Sequence, residues 1–261
     1  SCLWTGALAD ELPMDGDMRA DHERRRAVHY RRIVEDGAIY AQPFSEGGAA
    51  AAGFQPFGTN ATRTDGGWDP LGMRGMVSRN LIFKDVFVDD EAALMPTGVY
   101  FEAATRWPHM FMTLTPTYMG IAQGAYDFTV RYLRGEIPGT PPVKRRMYPT
   151  KQHAVADMRI MLEQTKSLWF QAISEAGANP TKDQVLRAYA AQYTVMENAN
   201  EMCRLAIRTC GGQSMLKNLP LERMYRDSRC GSLMLPWTAE LCVDRIGRDA
   251  RRYCGSTALT W

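Results

Sequence analysis

The sequence predicts a mainly α protein in which a long helical bundle follows a small, incomplete β-region, and three observations carry that prediction. Segments after Pro96 repeat apolar residues at three- and four-residue steps, the spacing that gives a helix one buried face. Several of those segments stop at glycines or open after prolines, the punctuation that helix ends require. Between Ala38 and Val88 the pattern changes to short branched and aromatic runs broken by glycines, which reads as strand and turn.

Taken in order, residues 20–35 (ADHERRRAVHYRRIVE) form a strongly charged helix, with Asp21 as N-cap, Gly37 just past its end and a mostly solvated face. The β-rich stretches are AIYAQPF, EGGAAAAGF, FGTNATRTDGGW and SRNLIFKDVFV. Ile82, Val86 and Val88 alternate imperfectly, so edge or half-buried strands are expected. Helices are expected over Trp107–Arg134, Lys151–Ala176, Lys182–Thr209, Leu221–Arg229 and Ala239–Arg252. In the third, Val185, Tyr189, Tyr193, Met196, Ala199, Cys203 and Ile207 share one face, which is expected to be core. Thr181 with Gln184 matches a capping box, Gly211 and Gly212 stop the helix, and Pro220 opens the next. Long helices joined by short connections such as AGANP are what a bundle requires.

Composition narrows the function. Thirty-one basic against 29 acidic side chains leave a net charge of +2, too little to argue for nucleic acid or a membrane surface as partner. The six cysteines (Cys2, Cys203, Cys210, Cys230, Cys242, Cys254) include no C-x-x-C pair, so neither a zinc site nor a disulfide framework is indicated, and a reducing cytoplasm fits. The longest uncharged run, Met110–Tyr126, is too short and too polar for a membrane span. Acidic groups stand in the first residues where a signal peptide carries basic ones, and no initiator Met begins the sequence, so the natural N-terminus is expected upstream.

The most specific stretch is TCGGQSMLKNLPLERMYRDSRCG. By itself the glycine pair reads as a helix C-cap, and Arg223, Arg226 and Arg229 with Glu222 and Asp227 read as a salt-bridged helix surface. Together these residues resemble the acyl-CoA dehydrogenase superfamily, in which a glycine pair precedes a P-x-E-R-x-Y-R-D helix and a short active-site loop. WDPLGMRGMVSRNLIFKDVFV is similar to that family's last β-strands, YMGIAQGAYDFTVRYL to its first bundle helix, and AQPFSEGG to the strand beside its flavin.

The resemblance implies a flavoprotein with an N-terminal helical domain, a middle β-domain and a C-terminal bundle, assembled as a homotetramer or homodimer with FAD near a subunit interface. On this chain those regions would be a helical remnant (1–37), a partial β-domain (38–96), the bundle (97–252) and a tail (253–261). By the same resemblance Phe44 and Ser45 edge the flavin ring, Gly211 and Gly212 receive the adenine side of FAD from a neighbouring subunit, and Thr238 hydrogen-bonds the cofactor. The arginine that pairs with the FAD pyrophosphate aligns on Glu136, leaving Arg134 or the Lys144–Arg146 run to replace it.

Departures bear on catalysis. The family's proton-abstracting glutamate falls on Leu235 and the alternative base position on Met110, neither of which accepts a proton. Glu240 lies nearby in sequence as a candidate substitute, and its place at a helix N-terminus, where a glutamate favours the dipole, accounts for it better. The serine that touches the thioester falls on Ala51, and strands expected between TRTDGGW and DPLGMRG are absent. Of the four histidines only His109 lies near the expected cleft, and a capping or packing role accounts for it. The expected function is an FAD-dependent oxidoreductase acting on the CH–CH group of an acyl-CoA, impaired by missing parts. The alternatives are a flavin-dependent monooxygenase of the same fold and a non-catalytic truncated relative.

Overall fold

A computed structural model of the chain describes residues 9–37, 63–67, 70–76, 79–81, 93–140, 145–234 and 237–253. The chain divides into two compact units, one made of residues 1–68, 78–110 and 177–181, the other of 69–77, 111–176 and 182–261.

In the first unit, α1 (Gly16–Val34) is capped six residues earlier than expected, because Asp15 and not Asp21 is the N-cap: its carboxylate accepts from the Met18 N–H at 2.8 Å. Asp21 lies inside the helix and pairs instead with Arg24 (2.6 Å) and Arg25 (2.7 Å), which holds its carboxyl below the usual range. Gly37 adopts the left-handed conformation beyond the helix end, as expected. The helix is also less solvated than its charge suggests, since His22 and His29, two turns apart on one face, are fully buried. Strands β1 (Arg63–Gly67) and β2 (Arg79–Leu81) pair antiparallel with an irregular register. Helix α2 (Val99–Arg106) leads to Trp107, whose indole N–H donates to the Ala178 carbonyl at 3.0 Å.

The second unit is the bundle. Its helices are α3 (Thr115–Arg134), α4 (Pro149–Ser174), α5 (Lys182–Cys210), α6 (Pro220–Gly231) and α7 (Ala239–Tyr253). The expected helix from Trp107 is in fact shorter: Pro108–Leu114 winds as a tight 3₁₀ turn, and regular α-helix starts only at Thr115. Prolines occupy the first turns of α3, α4 and α6, where a missing N–H costs nothing.

Helix α5 is the axis of the unit, packing against α3, α4, α6 and α7. A helix so surrounded must bury more than one stripe, and it does so with small or flexible side chains: Ala188, Ala191, Ala199, Met202 and Ala206 are all essentially inaccessible. The expected core face holds at Tyr189, Met196, Ala199 and Cys203 but not at Tyr193, which is 38% exposed. Its phenolic oxygen makes the edge of the stripe the cheaper place for it. Among the described residues no helix is long and apolar enough to cross a membrane.

Candidate functional site

The two glycines after Cys210 shape the C-terminal end of α5. Gly211 takes φ +90° and ψ −177°, a conformation open essentially to glycine alone, and its N–H closes the helix on the Ile207 carbonyl at 2.8 Å. Gly212 opens a 3₁₀ turn through Met215. A Cβ placed on either glycine would meet nothing within 4 Å, so open space lies over both.

Neighbouring elements surround this turn with polar and cationic groups. The Tyr132 hydroxyl, at the end of α3, donates to Gln213 Oε1 at 3.1 Å, and the Arg145 guanidinium stacks over the Tyr132 ring at 5.2 Å. Lys151, in the first turn of α4, donates to the Thr209 carbonyl, one of those a helix end leaves without an intrahelical partner. Burial pushes the Cys210 thiol up to about 11, while Lys151 and Arg145 act in the opposite direction, so the field of both cations reaches the end of α5. Arg134, two residues after Tyr132, is exposed.

A second cluster lies on α6. Arg226 pairs with Glu222 at 2.9 Å, as a surface pair should, and also donates to the Leu71 carbonyl at 2.8 Å. Asp227 is not a member of that surface network: it accepts from the Met73 N–H at 2.6 Å across 154 residues of sequence. Met73 is the only described non-glycine with positive φ (54°), and Gly72 lies so close to α6 that a Cβ would stand 2.2 Å from the Arg226 carbonyl oxygen. The G-M-R turn and the R-D pair, read separately in the sequence, are therefore the two halves of one clamp.

Thr238 is found capping α7: its hydroxyl oxygen accepts from the Leu241 N–H at 3.3 Å, and its carbonyl from the Cys242 N–H at 3.0 Å. Next to it, Trp237 meets the Tyr189 ring edge-on at 5.0 Å. From Tyr189 to Gly211 helix α5 rises about 33 Å, at roughly 1.5 Å per residue. One chain thus places Thr238 and the glycine pair at opposite ends of its central helix, whereas Arg134 lies at the glycine end.

Phe44, Ser45 and Leu235 lie outside the described residues. Met110 is buried within the first unit, and Glu240 is exposed in the first turn of α7. Sequence reading missed the clamp formed by Asp227, and it missed Gln192, a buried polar residue amid the apolar face of α5. The signal for Gln192 was present, since it lies between Tyr189 and Met196 on that face.

A helical bundle closed by an open glycine turn defines the class, and comparison with known proteins gives the family. Residues 106–250 match the model of the acyl-CoA dehydrogenase C-terminal domain, and the chain belongs to that family. It is 31% identical over 164 residues to the human mitochondrial short-chain specific acyl-CoA dehydrogenase, covering 62% of this chain and 38% of that protein. To the CarC subunit of the caffeyl-CoA reductase-Etf complex of Acetobacterium woodii it is 26% identical over 224 residues, 82% of this chain and 56% of that protein. Among solved structures, butyryl-CoA dehydrogenase from Megasphaera elsdenii superimposes with a TM-score of 0.62 at 22% identity, over 75% of this chain and 50% of that one. The chain spans less than two thirds of the length of the curated relatives it matches.

Proposed function

We propose that the chain supplies the cofactor-binding bundle of an FAD-dependent oxidoreductase that removes two hydrogens from the CH–CH group of an acyl-CoA thioester. The observation that carries this reading is the Gly211–Gly212 turn: a backbone conformation reserved for glycine, free space above it and cations around it, within the segment that matches the family. Exposed backbone at such a turn, with Arg134, Arg145 and Lys151 nearby, suits the adenine and diphosphate portion of FAD.

The separation of Thr238 from that turn favours a homodimer or homotetramer in which one copy's glycine pair meets cofactor held by another. Thr238 uses its oxygen as an acceptor in capping α7, and its hydroxyl hydrogen stays available to donate to the cofactor. Phe44 and Ser45 are assigned to the flavin edge by family resemblance. The cofactor, when bound, supplies a two-electron acceptor. A cytoplasmic location accords with this reading.

Substrate oxidation also needs a proton acceptor, and neither Leu235 nor Met110 provides one. The reading therefore predicts that anaerobic mixing with a panel of acyl-CoAs bleaches the flavin slowly, and that Leu235→Glu accelerates bleaching by about 10²-fold or more, the contribution of a positioned general base. An FAD-loaded protein that no acyl-CoA bleaches, with or without the glutamate, overturns it.

A further inference from the structure

One hydrogen bond at the glycine end of α5 does more than close the bundle. The Tyr132 hydroxyl, from α3, meets Gln213 Oε1 at 3.1 Å across 81 residues of sequence, and Gln213 stands directly after Gly212 in the turn. Tyr132 is 1% exposed and its ring is fixed on both counts that matter: Phe128 stacks against it with centroids 5.9 Å apart, and the Arg145 guanidinium lies over it at 5.2 Å. Gln213 is half-buried and uses only one end of its amide on the protein.

Chemistry decides which end. A phenol has one hydrogen to give, and among the described residues the bond to Gln213 is the one its hydroxyl makes. Were the amide nitrogen turned inward to donate to the phenol oxygen, that hydrogen would be left in a closed interior with no acceptor, a costly state. With the amide oxygen inward the phenol is satisfied, and Gln213 Nε2 carries its two hydrogens away from Tyr132. No described residue accepts from that nitrogen, and it is not shut away from solvent. The donor so presented adjoins the two glycines that leave open space over the turn.

We propose that Gln213 is a neutral hydrogen-bond donor to the ADP half of the cofactor, held in that role by Tyr132. The inference rests on the flavin reading of the glycine turn. Two acceptors in that half fit an amide N–H, an oxygen of the diphosphate and a ring nitrogen of adenine; FMN lacks the adenine and the second phosphate. Gln213 thereby favours the dinucleotide in a way that charge alone does not, since Arg134, Arg145 and Lys151 attract any phosphate. Tyr132 is a positioning residue: its hydroxyl is spent on Gln213, and it acts by keeping Oε1 engaged.

Calorimetric titration of the purified chain with FAD, ADP and FMN tests this, with thermal unfolding of each variant alongside. Gln213→Leu removes the donor without adding charge and should weaken FAD and ADP by about 3- to 10-fold while leaving FMN unchanged. Gln213→Glu still accepts from the Tyr132 hydroxyl but has no N–H to offer. It should weaken FAD and ADP at least as much with Tm within about 2 °C of the parent, which separates a binding role from a structural one. Tyr132→Phe lets the amide turn and should weaken FAD by about 2- to 5-fold, an effect that disappears in the Gln213→Leu background because both act through one bond. Adenosine and pyrophosphate as separate competitors identify the acceptor, and a Gln213→Leu loss with either supports the proposal. Three results overturn it: Gln213→Leu binds FAD and ADP as the parent does, only the charged Gln213→Glu weakens them, or Tyr132→Phe has its full effect in the Gln213→Leu background. A parent chain that takes up neither FAD nor ADP defeats the flavin reading and this inference with it, whereas uptake that the variants leave unaltered defeats this inference alone.

Discussion

Gly72 and Gly231 are glycines for the opposite reason from Gly211 and Gly212. At the first pair a Cβ would collide with the Arg226 backbone or with Met196 and Tyr118; at the second pair it would meet nothing within 4 Å. Crowded glycines mark where elements of this chain approach each other, and open ones mark where the chain approaches nothing of its own. Motifs of equal prominence in the sequence thus have unlike meanings, internal assembly around α6 and an outward-facing turn at the end of α5.

The largest effect is expected from Gly72→Ala, since backbone atoms of a helix do not yield to a methyl group 2.2 Å away. It should detach the 70–76 turn and cost about 3 kcal/mol, read as a fall in the denaturation midpoint. Asp227→Ala attacks the same clamp from the other side. It leaves the Met73 N–H unpaired and removes the bond that holds a positive-φ methionine, for about 1–3 kcal/mol in a chemical-denaturation curve.

At the open turn the expectations divide. Gly211→Ala meets no atom but forces alanine into a glycine-only conformation, at about 1–3 kcal/mol. Gly212→Ala should change stability by less than about 0.5 kcal/mol, because it is neither crowded nor strained, yet it should weaken FAD uptake measured by titration. A Gly212→Ala variant that loses stability but not FAD uptake would erase the contrast between the two glycine pairs.

The smallest effects concern thiol reactivity. Burial pushes the thiols of Cys203 and Cys210 up to about 11 and that of Cys242 up to about 12. At pH 8 these three should resist alkylation in the native protein, as mass spectrometry of labelled peptides would show. Half-buried Cys230, whose thiol burial also raises, should label first among the described cysteines. Raising the pH toward 11 should bring in Cys203 and Cys210 as thiolate forms, provided the fold persists.

Legibility in the sequence tracked the range of the interactions. Features set within one helix turn were readable: Gly37 and Gly211 as stops, Pro220 as an opening, and the burial of Tyr189, Met196 and Cys203. Even locally there was ambiguity where two aspartates compete for a cap. Asp15 wins over Asp21 because Asp21 has arginines three and four residues ahead to pair with inside the helix. Trp107–Leu114 looked helical by content, but its Pro108 start and tight winding give a 3₁₀ turn. What the sequence did not reveal was long-range. Asp227 reads as one more charge on an ion-paired surface until the fold brings Met73 to it.

If the open turn at the end of α5 belongs to a flavin site, the purified chain takes up FAD. Titration of the purified chain with FAD, with the visible spectrum taken after removal of free cofactor, tests it most directly. The expected result is retained flavin absorption that saturates and that Gly212→Ala diminishes. A protein that stays colourless at every FAD concentration would contradict it.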